Sequence, residues 1–248
     1  MSNNLQRFKF EKRNDFKIYL HEIIVNIYGD LKIYRRYLKE LEEYIKTKKI
    51  YENPKKLIRY DVYIDFKNKI IFTQNQLANI IGDDSDKALS YKKFRRIAEK
   101  HSKKFDLNFE TLDYKIRNKL NDINELRNWS LHKPESLLTS QLEIRSILKD
   151  NYENEFGIRT DEIYDHRVRV VEFEFCEGEW LISLLNECND LEDEFSKIFT
   201  QVKKDYSKLA EESMRIEKTF IKVRPIEDSV VSLLSHCIQN KYYKKQNT

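Results

Sequence analysis

The sequence contains very little that breaks a helix. Of 248 residues, four are glycine and three are proline. Frequent chain breaks are thereby excluded, and long helices are the economical reading. Cysteine is equally scarce. Cys176, Cys188 and Cys237 have neither paired nor metal-like spacing, which excludes a disulfide framework and points to reduced, structural thiols in a cytoplasmic protein. No run approaches the ~18 apolar residues of a membrane span. Met1 to Lys17 alternates polar, aromatic and charged residues and lacks the apolar core of a signal peptide. A chain of this length can bury a substantial core, as one large domain or one domain with an extension.

Charge is abundant at 35% of residues, as long solvated helix faces require, yet the net charge is only +4. Its distribution is uneven. Between Lys87 and Lys104 stand Lys87, Lys92, Lys93, Arg95, Arg96, Lys100, Lys103 and Lys104, against Glu99 alone. From Val170 to Ser196 the charged residues are all acidic. A polyanion is drawn to the first segment and repelled by the second. The plainer alternative is two solvated faces, neutralising each other.

Apolar spacing predicts helices over Asp15 to Lys49, with a kink at Gly29, and over Lys55 to Ile81, with Asn53-Pro54 as its start. Gly82 ends the second, and Asp83-Asp84-Ser85 opens a basic helix over Lys87 to Lys104. Further helices are expected over Asn108 to His132, Glu135 to Lys149, Glu179 to Lys218 and Pro225 to Tyr243. Asn151 to His166 reads as a linker. Val168 to Phe175 alternates like a strand but has no evident partner.

The residues that carry chemistry stand near the middle, in Arg127-Asn128-Trp129-Ser130-Leu131-His132. Histidine moves protons near neutral pH, and arginine holds the charge of a phosphorane. Arg96 with His101 and Arg159 with His166 have similar spacing. The first has apolar Ile97 after its arginine, and the second follows Gly157 across a loop. Only Arg127 has a polar neighbour, an amphipathic helix before it and Pro134 just after.

On a helical wheel with Ile116 at zero and ~100° per residue, Leu120, Ile123 and Leu131 form the buried stripe. Glu125, Asn128 and His132 share a polar stripe near ~120–180°. Asn128 can orient the imidazole or touch the same phosphate, and Glu125 can fix the ring's tautomer. Arg127 falls near ~20°, amid the apolar stripe and ~140° from His132. The two converge only if the helix bends before His132 or a second chain completes the site. A purely structural role is the alternative for each: Arg127 pairing with a buried carboxylate, and His132 capping a helix C-terminus. Trp129 has two readings as well, stacking on a base or filling a helix–helix contact.

This segment resembles the R-x(4–6)-H signature of the HEPN superfamily, in which a polar residue often follows the arginine. The resemblance covers six residues and a helical context. It implies an all-α, HEPN-like bundle with additional long helices and at most one short strand or hairpin. Residues 1–150 would form the core carrying the motif and residues 151–248 a C-terminal helical extension packed on it, or the whole chain one domain. It further implies a metal-independent endoribonuclease without cofactor, acting as a homodimer in which the ribose 2′-hydroxyl attacks the adjacent phosphate. Arg127, Asn128 and His132 would be its catalytic residues and Glu125 a support, with Trp129, Lys92, Lys93, Arg95 and Arg96 contacting RNA. Many bacterial relatives are toxins or abortive-infection effectors, so an antitoxin or regulatory protein is an expected partner. Some of these antitoxins modify a tyrosine two residues after the histidine, and Pro134 removes that route here.

Two other classes compete. Thr73 to Gly82 resembles the first helix and turn of a helix-turn-helix, with Arg95 and Arg96 on a following basic helix, as in a DNA-binding regulator. The other is a catalytically inactive HEPN-like scaffold or RNA-binding protein.

Overall fold

An apolar side chain at every third or fourth position, with no proline to interrupt it, produces the longest described helix, α1 (Arg13–Thr47). The computed structural model describes residues 8–86, 88–131, 139 and 173–218, with the backbone alone at 129–131. Asp15 starts α1 by accepting the backbone N–H groups of Glu11 and Lys12 at 2.8 and 2.9 Å. These bonds hold its carboxyl below the ordinary value. The helix continues through Gly29 without interruption.

The segment after Asn53 departs from expectation. It is not helical from Lys55 but forms a short strand, β1 (Leu57–Arg59), before α2 (Tyr60–Gly82), which runs unbroken past Asn68. The partner missing from the sequence reading is β2 (Phe175–Glu177), antiparallel to β1 with Ile58 opposite Cys176. The pairing joins positions more than a hundred residues apart, so no local pattern reveals it. Among the described residues the fold is all-α with one short two-stranded sheet.

Three more helices are shorter than their patterns suggest. Helix α3 (Tyr91–His101) begins at Ser90, whose hydroxyl accepts the Lys93 N–H at 3.3 Å, and not at the Asp83–Ser85 turn. Helix α4 (Tyr114–Leu131) begins six residues beyond Asn108, after a stretch in which Asn108 itself has a positive φ of 55°. The last described helix, α5 (Glu179–Ala210), is closed by Glu211 in the left-handed conformation and so ends before the expected Lys218. The expected helices over Glu135 to Lys149 and Pro225 to Tyr243, the linker at Asn151 to His166 and the start of the strand pattern at Val168 lie outside the described residues.

One hydrophobic core unites these elements. Phe16, Leu20, Ile23, Ile27, Leu31 and Leu41 of α1 are fully or almost fully buried, as are Leu181, Phe195, Ile198 and Val202 of α5. Each such side chain stabilises the fold by about 1.5–3 kcal/mol. Tyr34 of α1 donates its hydroxyl to the Cys188 carbonyl at 3.1 Å. Helix α5 is therefore part of the core built on α1, although it lies beyond residue 150. Helix α2 also packs on α1, touches α5 through Tyr60, Tyr63 and Trp180, and carries α4 in turn.

Candidate functional site

The C-terminal half of α4 lies against the end of α2 because Gly82 permits it. A Cβ there would sit 2.9 Å from Ile123 Cγ2 and 3.0 Å from the Asn124 nitrogen, too close for any side chain. Glycine brings the two backbones together, and Ile123 and Leu120 bury their side chains in the seam. Four residues beyond Ile123, Arg127 points the same way, where the helical wheel puts it.

Its guanidinium is held from several sides. Nε donates to Asn79 Oδ1 at 3.0 Å, Nη2 to Asp83 Oδ2 at 2.9 Å and Nη1 to Asn128 Oδ1 at 3.0 Å. Asn79 belongs to the last turn of α2, and Asp83 is the residue that ends it. The other oxygen of Asp83 accepts the Ser85 N–H at 2.8 Å. The Arg127 and Asp83 side chains are 21% and 13% exposed, so their ion pair is partly shielded from water. Asn128 and Glu125 are exposed, on the outer face of α4. Helix α4 is continuous to Leu131. His132 and the side chain of Trp129 lie outside the described residues.

The structure thus unites Arg127 and Asn128 with two residues that the sequence did not single out, Asn79 and Asp83. The wheel gave one indication, since an arginine on an apolar stripe needs an acceptor. It could not name that acceptor, because Asp83 reads locally as a helix stop.

The basic segment is not one solvated face. Arg95 is buried, at 4% exposure. Its guanidinium meets Asp205 Oδ2 at 3.2 Å, Glu99 Oε1 at 3.0 Å and the Glu110 carbonyl. The Phe109 ring covers it, with 4.9 Å from Cζ to the centroid. Tyr91 and Gln201 also donate to Asp205, at 2.7 and 2.9 Å. Arg95 is therefore a core ion-pair residue, and the expectation that it contacts RNA is corrected. Desolvation pushes the Tyr91 phenol well above its ordinary value and raises Asp205, against the opposing charge of Arg95.

Lys93 and Arg96 turn toward the loop between α2 and α3. Lys93 Nζ donates to the Asp86 and Ala88 carbonyls at 2.7 and 2.9 Å. Arg96 pairs with Asp84 at 3.4 Å and Asp86 at 3.8 Å. Lys92 is half-buried. The acidic segment finds other cations: Glu192 pairs with Arg35 and Glu194 with Lys119. Among the described residues no ion pair joins the two charged segments.

Among the described residues no group of three or more His, Cys, Asp and Glu side chains is arranged to hold a metal ion. No helix among them is long and apolar enough to cross a membrane. No protein-family model, curated protein or solved structure matches this chain.

Proposed function

We propose that this protein is a metal-independent endoribonuclease of the HEPN type, with Arg127, Asn128 and His132 as its catalytic residues. In this reading His132 takes the proton of a ribose 2′-hydroxyl, whose oxygen attacks the adjacent phosphorus. The bond to the 5′-oxygen breaks, and that oxygen takes a proton from a His132 imidazolium, so that His132 serves as general base or acid. The products are a 2′,3′-cyclic phosphate and a 5′-hydroxyl. Arg127 and Asn128 hold the phosphate through charge-assisted and neutral hydrogen bonds.

The observation that carries the reading is the immobilised guanidinium of Arg127 with its Nη1 edge against exposed Asn128. A cation fixed before its anion arrives costs no reorganisation when charge develops. The continuity of α4 to Leu131 supports a second element of the reading. In this reading a second copy of the chain completes the site, because Arg127 and His132 are ~140° apart on an unbent helix. A role as toxin or abortive-infection effector, in the cytoplasm and under an antitoxin or regulatory protein, follows from the same resemblance.

Incubation of purified protein with mixed RNA in the presence of EDTA tests the reading. Cleavage with cyclic-phosphate ends is expected from the parent and not from His132→Ala or Arg127→Ala. Arrest of growth on expression should disappear with the same substitutions. If His132→Ala cuts like the parent, the assignment is wrong.

One observation favours a second reading. The Arg127–Asp83 ion pair joins α4 to α2 and would serve the fold in a scaffold protein without chemistry. That reading expects no cleavage by the parent and no nucleic-acid affinity at low salt. The helix-turn-helix reading loses support. Arg95 is buried, and residues 83–90 separate α2 from α3, where such a motif uses a turn of about 3–4 residues.

A further inference from the structure

Beside the Arg127 cluster, α1 and α2 leave an open groove of about 200 Å³. Its polar lining is Asn26 and Asp30 from α1, Gln76 and Asn79 from α2, and Asp83. Ile80 and Leu89 supply apolar walls. Asn79 and Asp83 are also two of the residues that hold Arg127. Groove and guanidinium are thus contiguous, joined by shared side chains.

The hydrogen-bonding capacity of the groove is unevenly used. Asp83 has both oxygens engaged, by Arg127 and by the Ser85 N–H. Asn26 donates its amide to the Glu22 carbonyl at 2.7 Å, which leaves its carbonyl oxygen. Asn79 accepts from Arg127 through its oxygen, which leaves its NH₂ group. Asp30 makes no hydrogen bond or ion pair with any described residue, although burial pushes its carboxyl above the ordinary value. A desolvated carboxylate without a cation is unfavourable in the unliganded protein. It becomes favourable when a ligand brings donors.

We infer that this groove is a guanine-reading subsite: the carboxylate of Asp30 accepts N1–H and N2–H from a guanine base, while Ile80 and Leu89 contact its ring faces. The chemistry selects the base. Guanine alone has two adjacent donors on its Watson–Crick edge, matching the two oxygens of one carboxylate. Adenine and cytosine bring a single exocyclic amine to that edge, and uracil one ring N–H between two carbonyls that a carboxylate repels. The NH₂ groups of Gln76 and Asn79 suit the guanine O6 acceptor. The inference rests on the proposed RNA cleavage for its setting, where the guanine is the base beside the scissile phosphate held at Arg127.

Titration of the full-length protein with GMP, AMP, CMP and UMP tests it, together with mapping of cleavage positions on a synthetic RNA. GMP should bind at least about tenfold more tightly than the others, the discrimination of one good bidentate pair. Asp30→Asn should remove that preference with the circular dichroism spectrum unchanged, because Asp30 supports no other described residue. Ile80→Ala, which removes one apolar wall of the groove, should weaken binding of GMP without abolishing its preference over the other nucleotides. Equal binding of all four nucleotides, no binding of any, or GMP binding unaffected by Asp30→Asn overturns the subsite. GMP selectivity in a parent that cuts no RNA sustains the subsite and sinks the nuclease reading. His132-dependent cleavage without guanine preference does the reverse.

Discussion

Removing the Arg127 side chain is expected to weaken the fold only modestly while abolishing cleavage, and the separation of the two effects can be worked from the structure. Arg127→Ala breaks an ion pair of 2.9 Å and two further hydrogen bonds of 3.0 Å, and leaves the Asp83 carboxylate, 13% exposed, without its cation. A hydrogen bond to a charged group contributes about 1.5–3 kcal/mol, and partial solvent access lowers the value. The expected loss is about 2 kcal/mol, or roughly 5 °C in Tm for a chain of this size. Asp83→Asn keeps an acceptor and should cost about 1 kcal/mol. The double variant should cost less than the sum, with a coupling of about 1 kcal/mol. Urea unfolding followed by circular dichroism reads all four corners of the cycle. A domain stable by about 5–15 kcal/mol remains over about 99% folded after losing 2. Loss of cleavage in Arg127→Ala is then chemical and not a consequence of unfolding. A coupling below about 0.3 kcal/mol would refute the view that Asp83 fixes the arginine. Undiminished cleavage by Arg127→Ala would remove Arg127 from the site.

Other outcomes follow from the core and its charges. Asp205→Ala leaves the buried Arg95 guanidinium with Glu99 as its one carboxylate partner and should destabilise by about 3 kcal/mol in thermal unfolding, whereas Tyr91→Phe should cost only about 1–2. Gly82→Ala forces α2 and α4 apart and should cost about 1–3 kcal/mol, with cleavage reduced because Asp83 and Asn79 move with α2. Because the folded-state pKa of Asp15 is depressed, its contribution to stability is present above the ordinary carboxyl value and lost as pH falls through the lowered one. Asp15→Asn should therefore flatten the acid end of the stability profile. Burial raises the thiols of Cys176 and Cys188, so thiol-specific labelling read by mass spectrometry should be slow at both in the native protein and rapid in denaturant.

Long-period features were legible in the sequence, and short or cooperative ones were not. The heptad-like return of Phe16, Leu20, Ile23, Ile27 and Leu31 specifies α1 because a helix face needs only its own residues. The strand at Leu57–Arg59 was invisible, since three residues carry no period and their hydrogen bonds come from Phe175–Glu177. The start of the following helix was placed at Lys55 instead of Tyr60 for the same reason. The candidate site shows the same division. Arg127 and Asn128 stand out by type and spacing, and the wheel correctly placed Arg127 on the buried side of α4. Asn79 and Asp83 gave no signal, because the approach of α2 to α4 at Gly82 is what makes them partners.

By itself, then, the sequence determined that this is a protein of long helices with one polar constellation suited to phosphate chemistry. Scarce glycine and proline and a persistent 3.6-residue period leave the backbone few alternatives. Tertiary structure alone decided which charges are available. Arg95 and Arg96 are adjacent and identical in type, yet one faces Asp205 in the core and the other the acidic loop at the surface. Successive helical residues point about 100° apart, and only packing fixes which direction is interior. The same packing placed Asp30, unremarkable in sequence, in a groove that adjoins Arg127.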